Sequence, residues 1–134
     1  MNPVVHFEMP YDNPERITRF YQSAFGWKLQ GMGPEMGNYI LAVTAEADAM
    51  RQGAVRGAIN GGFFARSAEM PGQHPSVVIG VDDIQASMTA VNQAGGEVLG
   101  TPMQIPGVGQ YVAFYDTERN RVSMLQPLPP GPGS

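Results

Sequence analysis

Apolar and polar positions alternate at the start of the chain, so that Val4, His6 and Glu8 share one face of a strand while Val5, Phe7 and Met9 take the other. Pro10 ends the strand. Asp12 or Asn13 then offers a cap, Pro14 suits the first helical position because its missing N–H has no partner there, and Glu15 suits the positive helix end. The following spacing predicts a helix with Ile17, Phe20, Tyr21, Ala24 and Phe25 on its buried face, stopped by Gly26. Further strands are predicted at 27–30, at 39–43 and in the glycine-rich stretch 57–64, where Gly61 and Gly62 let the backbone approach a ligand or a neighbouring subunit. The polar segment 44–56 fits either a wide hairpin loop or one helical turn. The segment 66–75, with two prolines and a glycine, reads as a surface linker.

The opening pattern then returns. Ser76 to Val81 reads as a strand, Asp82 and Asp83 as caps, Ile84, Met88 and Val91 as the buried stripe of a helix, and Gly95 and Gly96 as its stop. An offset of 70 carries His6 onto Ser76, Asp12 onto Asp82, Gly26 onto Gly96 and Leu29 onto Leu99. Gly37 and Tyr39 match Gly109 and Tyr111 at an offset of 72, so the second copy gains two residues around Pro102 to Pro106. A period that keeps cap, stop and strand together marks a duplication. Residues 111–115 and 121–125 complete the second copy. The predicted fold is therefore α+β, with two tandem βαβββ modules whose curled mixed sheets surround a pocket. Its expected extent is a single domain over 1–127, with module one at 1–66, module two at 75–127 and a flexible Pro/Gly tail at 128–134.

Composition narrows the function. A length of 134 residues allows one domain, and a net charge of -4 with eight scattered Lys and Arg argues against nucleic acid as a partner. The absence of cysteine excludes disulfides, thiolate metal sites and a cysteine nucleophile. The start lacks the pattern of a secretory signal and no apolar run is long enough to span a bilayer, so the expected location is cytoplasmic, without membrane association.

The pairing of VVHFEMPYDNPERITRFYQSAFGW with VVIGVDDIQASMTAVNQAGGEVLG, followed by PGVGQYVAFYDTERNRVSMLQP, resembles the vicinal oxygen chelate superfamily of glyoxalase I, bleomycin- and fosfomycin-resistance proteins and extradiol dioxygenases. More narrowly, HFE, the ING-G stretch and PGVG look like the small glyoxalase-related proteins. The resemblance implies metal ligands on the first and last strands of each repeat, with a divalent ion acting as Lewis acid on vicinal oxygens. His6 matches the first ligand position. The remaining positions fall on Ser76, on Ser123 and near Asn60, and residues 121–126 hold no carboxylate. A divalent metal is therefore not favoured, and no cofactor is assigned.

His6 and Glu8 are the candidate catalytic pair, His6 as metal ligand or acid-base group and Glu8 as a half-site ligand or general base. Their plainer readings are a hydrogen-bonded pocket histidine and a rim carboxylate paired with Arg16 or Arg121. Tyr39, Asn60, Ser76, Tyr111 and Ser123 are candidate ligand-binding residues that orient a polar molecule without an ion, or else satisfied polar groups and paired core aromatics. His74 reads as a solvated loop residue. The segment 106–111, PGVGQY, reads as a mobile lip or as a plain hairpin extension. Of the nine methionines, Met9, Met32, Met36, Met70 and Met88 are expected as core and interface filler. Exposed sheet edges point to a homodimer. The expected function is a glyoxalase-like protein with a depleted metal site that binds or converts a small, oxygen-rich molecule. The alternatives are a metal-dependent lyase, isomerase or dioxygenase, and a drug-sequestering resistance protein.

Overall fold

The computed structural model describes residues 1–46, 57–69 and 73–129. The linker residue Met70, most of the undetermined segment after Thr44 and the end of the tail lie outside the described residues. The chain divides into two compact units, His6–Pro75 and Ser76–Ser134, the latter together with Met1–Val5. Each unit repeats the order predicted from the sequence, and the α+β class and βαβββ modules are as expected.

The first unit consists of β1 (Val4–Tyr11), α1 (Pro14–Phe25), β2 (Lys28–Gly31), a 3₁₀ turn (Pro34–Met36), β3 (Ile40–Val43) and β4 (Asn60–Ala65). Its strands run in the order β2-β3-β4-β1, with β4 parallel to β1 and the other pairs antiparallel. Of the two cap candidates Asn13 is used: its Oδ1 accepts from the Arg16 N–H at 2.9 Å, and Pro14 takes the first helical turn. Gly26 closes the helix at φ +72°, a left-handed angle that a side chain makes costly.

Ile17 and Tyr21 pack from α1 onto Phe7, Met9, Tyr11, Ile40, Ala42 and the fully buried Phe63. Phe20 and Phe25, expected on the same face, are instead 54% and 63% exposed. Trp27 accounts for the exposure of Phe25. Its indole stacks on Tyr21 at 4.5 Å and meets Phe7 at 5.6 Å, filling the place under the helix end that Phe25 would otherwise take.

The second unit holds β5 (Ser76–Gly80), α2 (Ile84–Gln93), β6 (Glu97–Ile105), β7 (Gly109–Tyr115) and β8 (Arg121–Pro127), in the order β5-β8-β7-β6. The first residues of the chain belong here, the Gly80 N–H donating to the Pro3 carbonyl at 2.8 Å. Asp83 caps α2 through the Ala86 N–H, and Gln126 Oε1 accepts from the Ile84 N–H at 2.8 Å, tying helix start to closing strand. Ile84, Met88 and Val91 turn inward as predicted, onto Val81, Val98, Val112, Phe114 and Met124.

The two extra residues of this copy appear as a register shift between Leu99 and Met103. The PGVG stretch is a hairpin turn rather than a lip, since Ile105 pairs with Gly109 and the Val108 N–H donates to the Ile105 carbonyl at 3.0 Å. Met9 and Met88 pack against the two cores as expected, whereas Met36 is exposed. No described helix is long and apolar enough to cross a membrane.

The ladders define which residues of the two copies correspond. His6 lies opposite Asn60 and Glu8 opposite Gly62, while Val78, the counterpart of Glu8, lies opposite Ser123. Ser123 therefore corresponds to Gly62. Asn60 corresponds to Arg121, two residues earlier on β8.

Candidate functional site

In each unit the helix covers one sheet face, and the alternation of strand side chains sends the other set to the opposite, helix-free face. All seven candidate residues fall on that face of their own unit. In the first unit these are His6, Glu8, Tyr39 and Asn60, all half-buried; in the second they are Ser76, Tyr111 and Ser123, the last only 4% exposed.

Three of the four in the first unit converge. The Tyr39 hydroxyl donates to Glu8 Oε2 at 3.1 Å, and His6 Nε2 stands 3.0 Å from the Tyr39 oxygen. A phenol has one proton, so with that proton on the carboxylate the histidine must be the donor. With the phenol proton directed at Glu8 the imidazole is the Nε2–H tautomer, its Nδ1 lone pair turned away from the tyrosine. Burial pulls the His6 pKa below its ordinary value, and the Glu8 carboxylate pulls weakly the other way. The ring is therefore neutral near neutral pH. Neutral imidazole, phenol and carboxylate form a chain that stabilises positive charge on His6 should Nδ1 take a proton, which is the arrangement of a general base.

Gly62 makes the chain sterically possible. A methyl group built there would overlap Tyr39 Oη, Cζ and Cε1, so the phenol lies directly over the β4 backbone. A methyl at Gly61 would overlap the Phe7 ring on the other face. The two glycines thus admit two side chains of their own unit, in place of the ligand or neighbouring subunit expected from the sequence. Asn60 is held separately: its Oδ1 accepts from the Thr44 N–H at 2.9 Å, and Thr44 Oγ1 donates to the Ile59 carbonyl at 2.6 Å. Thr44 is a supporting residue that sequence reasoning passed over as loop.

In the second unit Tyr111 Oη and Ser123 Oγ are 2.6 Å apart, and Ser76 opens β5 on the same face. Among the described residues neither Arg16 nor Arg121, the partners of Glu8 in its plainer reading, carries an ion pair. His74 is exposed in a bend, as the sequence suggested. An open groove of about 430 Å³ runs along the other side of the first unit, beside α1, lined by Tyr11, Glu15, Thr18, Leu29, Asn38 and Ile40. It shares no residue with the candidate site.

The ligand positions implied by the family resemblance become, by register, His6 and Asn60 in the first unit and Ser76 and Arg121 in the second. Ser123 leaves that set because it corresponds to Gly62. The first unit thus offers an imidazole and an amide whose oxygen is already used, the second a hydroxyl and a cation, and neither pair alone is a chelating set for a divalent ion. Among the described residues no three His, Asp or Glu side chains are grouped as a metal site requires.

Two βαβββ copies, each with a helix on one face and polar residues on the other, define a class of duplicated α+β proteins. Residues 4–124 match the model of the Glyoxalase/Bleomycin resistance protein/Dioxygenase superfamily, and the chain belongs to that family. A glyoxylase-like domain-containing protein of Didymella fabae is 33% identical over 116 residues, covering 84% of each chain. A longer Mycobacterium tuberculosis protein with a provisional glyoxylase name, CFP32, is 29% identical over 125 residues, which are 91% of this chain and 43% of that one. Among solved structures, methylmalonyl-CoA epimerase from Mycobacterium tuberculosis superposes with a TM-score of 0.68 at 13% identity, over 94% of this chain and 88% of that one. At that identity the likeness concerns the fold.

Proposed function

We propose that this chain binds or converts a small, oxygen-rich molecule without a metal quartet, using His6, Tyr39 and Glu8 as its acid-base centre. One observation carries the reading. Of the groups in the first unit that a metal would need, Glu8 and His6 Nε2 are held by the Tyr39 hydroxyl and the Asn60 oxygen by Thr44, which leaves a single imidazole nitrogen. What remains offered to a ligand is His6 Nδ1, a base suited to accepting a proton from an O–H group or from a carbon acidified by a neighbouring carbonyl. Asn60 Nδ2 adds a neutral donor. The same reading has the protein as a homodimer through sheet edges and cytoplasmic in location; light scattering on the purified chain tests the first.

The test is elemental analysis of protein purified without an affinity tag, followed by a ligand screen with and without chelator. The expected result is substoichiometric metal and binding of hydroxy- or keto-compounds that chelator leaves unchanged. Stoichiometric Ni, Zn, Fe or Mn, with binding lost on chelation, would overturn the proposal in favour of the metal-dependent lyase, isomerase or dioxygenase. Tight retention of bleomycin-like cations instead would favour sequestration.

A further inference from the structure

Five of the described basic side chains, Arg16, Arg19, Lys28, Arg66 and Arg119, are exposed, as charged groups in a small domain normally are. Arg121 differs. It opens β8 half-buried, and among the described residues it makes no ion pair and no side-chain hydrogen bond. A half-buried arginine whose N–H donors meet no protein acceptor keeps them available to an anion.

The surroundings specify the anion further. Arg121 and Ser123 are two apart on β8 and so share the helix-free face, where Tyr111 Oη bonds Ser123 Oγ at 2.6 Å. Ser76, the residue in register with Arg121 when the β5–β8 ladder is continued two steps, adds a third hydroxyl. These neighbours are neutral and cannot offset the charge. Across the β7 ladder Arg121 faces Tyr115, whose ring already carries the Arg119 guanidinium at 4.1 Å. Arg119 is itself paired with Glu97 at 2.9 Å, so it leaves the charge of Arg121 unmet. A planar fork of N–H donors beside hydroxyls matches a carboxylate, which guanidinium binds through two parallel hydrogen bonds.

We infer that the helix-free face of the second unit is a carboxylate-binding site, with Arg121 as its anchor and Ser76 and Ser123 beside it. The site lies wholly in the second unit and does not rest on the acid-base reading of His6. The test is an NMR titration of the full chain with pyruvate and with inorganic phosphate at low salt, following the Arg121 Nε–H signal and the amides of residues 76, 111 and 123. Pyruvate is expected to shift these signals saturably. Arg121→Gln should weaken binding at least tenfold, and Arg121→Lys, which keeps charge without the fork, should weaken it several-fold. Arg16→Gln, on the exposed face of α1, should leave it unchanged. No saturable shift in the wild-type chain, equal affinity in Arg121→Gln, or phosphate binding as tightly as pyruvate would overturn the inference. Because the wild-type titration decides by itself, failure of a variant to fold does not obscure the outcome, and metal analysis of the His6 site is unaffected by it.

Discussion

Replacing Gly62 by alanine tests the site architecture through one methyl group. Gly62 has no left-handed φ, so the backbone accepts alanine, and on chain entropy alone the change should stabilise the protein by about 0.4–1 kcal/mol. Against that, the new methyl occupies the place of the Tyr39 ring. If the ring stays, it is compressed against β4 at a cost of about 1–3 kcal/mol. If it swings away, two hydrogen bonds are lost, at about 0.5–1.5 kcal/mol each. Either way the net is a destabilisation of about 1–2 kcal/mol, or roughly 5 °C in melting temperature for a domain of this size. Thermal and urea unfolding can be followed by the fluorescence of Trp27, the single tryptophan of the chain, which stacks in the first unit's core. The decisive variant is Gly62→Ala in a Tyr39→Ala background, where the clash is gone and the change should be neutral or stabilising. If the two changes add to within about 0.5 kcal/mol, the proposed overlap of Tyr39 with position 62 is refuted.

Two other consequences concern His6. Long-range nitrogen-proton NMR should find it as the Nε2–H tautomer near neutral pH, and Tyr39→Phe should abolish that preference and weaken ligand binding; an Nδ1–H tautomer in the wild type would contradict the hydrogen-bond chain. Because burial lowers its folded-state pKa, the unfolded chain takes up the proton first. The stability that neutral His6 contributes is therefore fully present above the unfolded value of about 6.5 and is lost as pH falls through the lower folded value. Unfolding midpoints measured from about pH 7.5 down to about pH 5 should fall more steeply for the wild type than for His6→Gln, and equal slopes would refute the assignment.

The parts of the fold legible in the sequence are those written in short-range chemistry. Asn13, Pro14 and Gly26 bound α1 through bonds to residues three or four positions away, and Asp83 does the same for α2. Alternation puts His6 and Glu8 on one face of β1, as its register has them, since parity survives a small error in strand ends. What sequence reading missed depends on contacts between distant segments. Phe25 carries the helical periodicity of a buried residue, yet the indole of Trp27 takes the space. The charge of Glu8 suggests an arginine partner, whereas its bond to Tyr39 spans 31 residues and depends on the turn that positions β3. The doubled glycine signalled close approach but not what approaches.

The duplication also shows how one scaffold yields two different faces. Tyr39 and Tyr111 correspond, but the residues beneath them do not: Gly62 leaves the strand bare, and Ser123 puts a hydroxyl there. Over glycine the phenol crosses β4 and reaches the histidine and carboxylate of β1. Over serine the hydroxyl stops the phenol at 2.6 Å, and on β5 the counterparts of His6 and Glu8 are Ser76 and the buried Val78. The second copy therefore has no histidine or carboxylate on β5 for its tyrosine to join, and the half-buried Arg121 stands at the position corresponding to Asn60. The choice between glycine and serine on the closing strand, with the matching residues on the first strand, separates a face carrying imidazole, phenol and carboxylate from one carrying hydroxyls and a guanidinium.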